Sequence, residues 1–273
     1  MSANLIIREL HEMTDLLRTV ELQQAIWGMQ AYECASPYTL NAAIHTGGSV
    51  IAAELEGRMV GFCFAFAAKR ADALWLWSHM AGVHPDFQGQ GIGFKLKQAQ
   101  REWALGQGYR VMAWTFDPMQ GGNANFNFNR LGVRAHRYYV DHYGLMQDGI
   151  NAGLASDRLE AVWHLDAPQV IDMTQGHSAA YVGVGQLEDV KLVYVDDSGL
   201  LRQRELPAYN QERYCIEVPL HLAVLKQANI EQARTWQLYL RSAMTALLAA
   251  GYKVCHFVRE RRRGWYVLCR DAS

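Results

Sequence analysis

Gly89, Gly91 and Gly93 occupy alternate positions in the stretch HPDFQGQGIGFKLKQAQ, just where a helix is expected to begin. Ile92, Leu96, Ala99 and Trp103 then recur at helical spacing, with Lys95, Lys97, Gln98, Arg101 and Glu102 elsewhere around the axis. A strand, a glycine-rich turn and an amphipathic helix together make an anion site. The first N–H groups of a helix have no internal partner, and the helix dipole places partial positive charge there. Glycine lacks a Cβ, so phosphate oxygens can come close to the backbone. Lys95 or Lys97 could add charge nearby. The plainer reading is a tight strand-to-helix turn with no ligand. A dinucleotide fingerprint needs a third glycine where Phe94 stands, and no GxxxxGK run followed by Ser or Thr occurs. What fits is Q-x-x-G-x-G, as Gln88, Gly91 and Gly93, after a strand ending in V-x-P, Val83 to Pro85.

Other chemistries find less support. The chain has ten histidines but no HxxxH or HxH pair. His136 and His142 would share a strand face yet sit about 20 Å apart, too far to chelate one ion, so no metal site is expected. Cys34, Cys63, Cys215, Cys255 and Cys269 are scattered singly with no CxxC, which points to buried thiols in a reducing cytoplasm rather than a disulfide frame. Cys63 lies in an apolar strand pattern, where thiols are usually inert. With 26 basic and 27 acidic residues, the chain has no charge footprint for nucleic acid or an anionic membrane. The cluster Arg259 to Arg263 reads as a solvated hairpin turn, with a phosphate patch as the other reading. No signal peptide is apparent in MSANLIIREL, and the longest apolar runs are too short to span a bilayer.

The elements that must position the glycines follow from periodicity. A strand is expected over Leu5 to Leu10, a helix over His11 to Gly28, and a second helix near Tyr38 to His45. SVIAAEL, EGR and MVGFCFAFAA read as strand, turn and strand, and Leu74 to Val83 as another strand. The glycine loop leads into a helix ending near Leu105. YRVMAWTFDP is then a strand, Asn123 to Leu131 a short helix, and VRAHRYYVDHYG and RLEAVWHL two more strands. The order β-α-α-β-β-β-α-β-α-β-β is a mixed α/β pattern ending near Asp166. Beyond it, strands are expected at Asp189–Val195 and Arg213–Glu217, an amphipathic helix over Ile230 to Ala250, and a hairpin over Lys253 to Arg270. GYRVMAW and GYKVCHF each follow a helix, a short internal echo that raises two related halves as a reading, only one of them with the glycine loop.

GVHPDFQGQGIGFKL, the downstream FNRLGV (Phe128 to Val133) and the order of elements resemble the GNAT superfamily of acyl-CoA-dependent N-acyltransferases, over roughly residues 5 to 166. FNRLGV looks like that family's "YxKLGF" motif. WTFDPMQ with NANFNFNRLG resembles a GNAT subgroup with a C-terminal extension. The resemblance implies a GNAT domain over residues 1–166 and an α/β extension over 167–273, a degenerate half-GNAT lobe on the two-halves reading, packing on the first and narrowing the acceptor cleft. It implies a twisted sheet splayed between its fourth and fifth strands, with acetyl-CoA as co-substrate in the splay. Backbone groups of Met80, Ala81, Gly82 and Val83 would pair with the pantetheine arm. The N–H groups of Gln88, Gly89, Gln90, Gly91, Ile92, Gly93 and Phe94 would hold the pyrophosphate. Asn123, Asn125 and Arg130 would flank the thiol end or the adenosine.

In such an enzyme a neutral amine attacks the thioester directly. The amine must lose a proton, and the oxyanion needs a donor, for which a backbone N–H in the splay serves. His79, four residues before Val83 on the same strand, is the first candidate for base, against a reading as a sheet histidine. The family's frequent acid, a Tyr, is replaced here by Phe128. Tyr138, Tyr139 and Tyr143 could substitute or be strand packing, or the thiolate could leave unaided. Asp117 either binds a cationic substrate or caps the following helix. The expected function is acetyl transfer to a primary amine of a small molecule or peptide, in the cytoplasm, with a homodimer as an option. An acyl-CoA sensor without catalysis is the alternative, and an unrelated nucleotide binder is weakened by the failed motifs.

Overall fold

A computed structural model describes residues 4–144, 146, 152–176, 190–261 and 263–270. Twelve strands and seven α-helices occur among them. The seven strands β1 (Leu5–Glu9), β2 (Ser49–Leu55), β3 (Arg58–Arg70), β4 (Ala73–Val83), β5 (Val111–Phe116), β6 (Tyr138–Tyr139) and β7 (Arg158–His164) follow the order β1-β2-β3-β4-β5-β7-β6. The five strands β8 (Lys191–Val195), β9 (Leu201–Gln203), β10 (Arg213–Pro219), β11 (Lys253–Arg259) and β12 (Arg263–Cys269) form a second sheet in the order β11-β12-β10-β8-β9. The chain is thus a mixed α/β fold with a second sheet in its C-terminal part.

Two compact units divide the chain, and the main cut falls inside β5, between Trp114 and Thr115, rather than at residue 166. In the first unit, β2 and β3 are apolar on both faces because helices cover both. Helices α1 (Met13–Trp27) and α2 (Pro37–His45) place Leu16, Leu22, Leu40 and Ala43 against Val50, Ala52, Phe62 and Phe64. Helix α3 (Ile92–Gly106) places Ile92 and Leu96 against Ile51, Ala53, Val60 and Cys63. Alternation along β2 thus sends successive side chains to opposite layers. Ser36 caps α2 by accepting from the Thr39 N–H, with Pro37 at the first helical position.

In the second unit, the short helix α4 (Gly121–Phe126) runs into one π turn at Asn127–Leu131 and ends on Gly132 in the left-handed region. The strand expected over VRAHRYYVDHYG is only the two residues of β6. Arg134 and Ala135 make isolated bridges to Val162 and Val254, and Asp141 turns the chain with φ 45°, so no long strand can form. His136 and His142 therefore do not share a strand face. Helices α5 (Pro168–Thr174) and α6 (Leu222–Ala228) and strand β9 had no clear periodicity in the sequence. Helix α7 (Ile230–Ala249), expected over Ile230 to Ala250, buries Ala233, Trp236, Leu240, Ala243 and Leu247. Strand β8 begins at Lys191, and Asp189, where a strand start was expected, lies outside the described residues. The echo of GYRVMAW in GYKVCHF does not extend to topology. Strand β5 pairs in parallel with β4, the strand before α3, whereas β12 separates β11 from β10.

Within the second unit, residues 168–270 share a core with residues 115–163. Tyr266 donates to Pro118 O at 2.7 Å, Asn129 to Phe257 O at 2.7 Å, and Arg241 forms a two-point ion pair with Asp157 at 2.8 and 2.9 Å. One expectation about cysteine is corrected. Cys255 and Cys269 form a disulfide, because the β11–β12 hairpin brings together residues 14 apart, and Cys34, Cys63 and Cys215 are the free thiols. The cysteine pattern therefore gives no ground for a reducing compartment. No helix among the described residues is long and apolar enough to cross a membrane.

Candidate functional site

The glycine loop and the end of β4 meet in the first unit. Strands β4 and β5 pair at Leu76↔Met112 and Trp77↔Ala113 and part beyond these residues. On its other edge β4 stays bound to β3, with a register shift between Phe64↔Met80 and Ala65↔Ser78. His79 is the extra residue of that bulge. A bulge bends its strand and adds twist, so His79, two residues beyond the last β4–β5 pair, is turned out of the regular alternation. The backbone of Met80, Ala81, Gly82 and Val83 thus runs along an edge that β5 has left. Gly82 has a packing reason of its own: a Cβ there would lie 2.9 Å from the Trp27 ring and 3.0 Å from Ile26.

The loop answers the question its glycines pose. Gly89 has φ 76° and Gly91 φ 78°, conformations that side chains other than glycine resist. Gly93 is ordinary helix. A Cβ on it would meet Val83 Cγ2 at 3.7 Å, and one on Gly89 or Gly91 would meet nothing within 4 Å. Gly91 is the N-cap of α3 and no side chain caps the helix. The N–H groups after it lack an intrahelical acceptor by helix geometry, and the first helical bond runs from Lys95 N to Gly91 O. Side-chain-free backbone and a positive dipole end that its N-cap residue does not close fit a diphosphate. Gln88 plays another part than donor. Its N–H closes a turn onto Pro85 O, and its side-chain amide donates to Val83 O at 3.0 Å, so it ties the loop to the end of β4. The Gln90 side chain likewise donates to Asp86 O.

His79 is exposed, with ring centroids of Phe64 and Phe66 at 5.7 and 5.6 Å. Partial desolvation by this packing lowers its pKa from the ordinary 6.5, so it is neutral and able to accept a proton at pH 7. Lys95 is exposed. Lys97 does not reach the loop: its side chain turns into the layer between α3 and the sheet.

Residues 14–131 match the family model for the GNAT acetyltransferases. This stretch is a GNAT acetyltransferase domain. No curated protein matches the chain in sequence. Among solved structures it is similar to the ribosomal-protein-S18-alanine N-acetyltransferase of Escherichia coli, at 16% identity over 60% of this chain and 96% of that one, TM-score 0.48. It is also similar to YncA of Salmonella typhimurium, solved with its cofactor acetyl-CoA, at 18% identity over 59% and 94%, TM-score 0.46. A third is an aminoglycoside acetyltransferase from an uncultured soil metagenomic sample, at 20% identity over 45% and 84%, TM-score 0.41.

The remaining candidates of the GNAT domain and its continuation lie in the second unit, where the structure gives most of them structural partners. Phe128, at the usual tyrosine position, is 2% exposed and packs edge-on against Phe116 and Tyr266. Tyr138 donates to Asp157 at 2.6 Å, and burial together with that carboxylate holds its phenol well above the usual range, which makes it a poor proton donor. Tyr139 is held in the same way, donating to Glu160 at 2.7 Å. Tyr143 is exposed, near Thr115 Oγ1 at 3.2 Å, with the Arg158 guanidinium over its ring. Asp117 accepts from Met119 N at 2.9 Å in a turn ahead of α4, whose N-cap, Gln120, has no side-chain cap bond, so Asp117 does not cap that helix, and burial raises its pKa. Asn125 accepts from Asn129, while Asn123 and Arg130 are exposed. Among the described residues no group of three metal-ligating side chains occurs. Sequence reading missed Tyr266, which lies against Phe128 from a position 138 residues further on and is fully buried.

Proposed function

We propose that the chain transfers an acetyl group from acetyl-CoA to a primary amine of a small molecule or peptide by direct attack. The observation that carries this reading is the bulge at His79 at the opening of the β4–β5 splay, on the strand that leads into the N-terminus of α3, which no side chain caps. Acetyl-CoA supplies the activated acyl group. The α3 N-terminus binds its diphosphate, and the freed edge of β4 offers backbone groups to the pantetheine arm. His79 accepts the proton that the amine loses on forming the new C–N bond, and the thiolate departs. A thiol, with a pKa of about 8.5, leaves without a strong acid. No tyrosine in the Phe128 position is then required.

Calorimetry with acetyl-CoA, followed by thiol release over a panel of primary amines, tests this reading. Binding with turnover on one class of amine is expected. Binding with no turnover on any would favour a sensor, and no binding would end the proposal. Gly91→Val forces a β-branched residue to positive φ and sets a side chain in the cradle. It should weaken acetyl-CoA binding roughly five- to thirtyfold, matching a strain of about 1–2 kcal/mol. His79→Ala should lower kcat about 100-fold, the low end of general-base effects. The wild-type rate should fall on the acid side, below pH 6.5, as the imidazole takes up a proton. The variant should lack that limb.

A further inference from the structure

Lys97 is a lysine that the mechanism above does not use, and it is 4% exposed. From α3 its Nζ reaches Gln100 Oε1 at 2.7 Å, Ser78 Oγ at 3.0 Å and Met112 Sδ at 3.4 Å, and it lies 4.0 Å from the centroid of the Trp114 ring. The placement of these partners is specific. The last paired residues of β4 and β5 are Trp77 and Ala113. Ser78 and Trp114 are the next residue on each strand. One amino group therefore holds both strands at the first position where they no longer hold each other. We propose that Lys97 is the strut that sets the opening of the β4–β5 splay, and so positions the thioester end of an acyl-CoA without touching it.

Three further observations fit this role. Ser78 and Gln100 are themselves buried, and Ser78 Oγ donates to Gln100 Oε1 at 3.0 Å, so the strut stands on a buried polar pair, of which Gln100 Nε2 finds no partner among the described residues. The titratable group facing the amine from β3 is the Cys63 thiol, which burial pushes up to about 12, leaving it neutral. Its other neighbours include Ser78 on β4, Gln100 on α3, and Met112 and Trp114 on β5. Burial also lowers the lysine to about 7, so its charge changes near neutrality. As an ammonium it is drawn to the Trp114 face and to Gln100 Oε1. As an amine it loses the attraction to the ring, and the strut slackens.

The inference rests on the coenzyme A reading, and the test separates the two. Acetyl-CoA is compared with adenosine 3′-phosphate 5′-diphosphate, the part of it that needs only the loop. In the full chain, Lys97→Met should weaken acetyl-CoA about tenfold or more and leave the nucleotide within about twofold. Ser78→Ala, which keeps the lysine but removes its tie to β4, should do the same to a smaller degree. The wild-type preference for acetyl-CoA over the nucleotide should fall, relative to that of Lys97→Met, as pH rises through about 7. The terminal phosphate of the nucleotide, which acetyl-CoA lacks, also titrates near neutrality, but it does so equally for both proteins, so the difference between the two profiles reports the lysine. Variants that bind both probes as the wild type does, or lose both equally, overturn the strut. A wild type that binds neither probe overturns the coenzyme A reading and the strut with it.

Discussion

Replacing Arg241 by alanine should destabilise the protein by about 3–5 kcal/mol, read as a lower denaturant midpoint at pH 7. Asp157, with a fully buried side chain, accepts two guanidinium bonds from Arg241, at 2.8 and 2.9 Å. It also accepts from Tyr138 OH at 2.6 Å and Asp141 N at 3.0 Å. Removing the cation leaves a buried carboxylate with neutral donors alone. The loss spreads beyond the pair, because Asp141 in turn accepts from Ser156 N and Oγ, and Ser156 Oγ from Tyr143 N. This network shapes the turn at Asp141, just after β6. Arg241→Ala with Asp157→Ala should recover part of the loss, since neither charge is then stranded. A measured change under 1 kcal/mol for Arg241→Ala would show the pair to be solvated. Arg241 lies 84 residues beyond Asp157 and past residue 166, so a chain cut near 166 should fail to hold β6 and β7 in place.

Lys97→Met should have the opposite effect on stability to its effect on binding. The folded protein holds this lysine at about 7, against 10.5 for an ordinary lysine. Between those values the unfolded chain carries a proton that the folded chain lacks, so folding stability rises with pH across the window. Below about pH 7 both forms are protonated and the cost of burying the ammonium is constant and largest. The shift, with every attraction in the folded state already inside it, corresponds to about 5 kcal/mol. Lys97→Met, of similar volume and uncharged, should therefore be the more stable protein at pH 6 by an amount of that order, and the gap should close towards pH 10. Unfolding in urea at several pH values measures this. A gap independent of pH would mean that the wild-type amine is well hydrated. A costly buried cation that a more stable variant lacks is the kind of feature kept for function rather than for folding.

Much of the first unit could be read along the chain. Both faces of β2 and β3 are apolar, the helical spacing in α1 and α3 is regular, and Gly91 and Gly93 announce an open helix start. Each of these is a local rule of backbone geometry. The second unit was harder. A tract as rich in aromatics as VRAHRYYVDHYG has strand propensity, yet it pairs over two residues, because Ala135 bridges to Val254 and Asp141 is held by Ser156 and Asp157. The disulfide was missed because residues 14 apart carry no spacing signal until the hairpin folds.

The candidate site divides in the same way. The glycine loop, its helix and His79 on the strand before it were evident from residue type and order, since the donors are backbone groups of consecutive residues. Only the folded chain shows that His79 sits in a bulge, that Phe128 is sealed beneath Tyr266, and that Lys97 turns inward to Ser78 and Trp114 instead of outward to an anion. A helix exposes its polar residues in the sequence alike. Which of them faces solvent and which faces the gap between two parting strands depends on packing between segments far apart in the chain, and on the desolvation that this packing imposes.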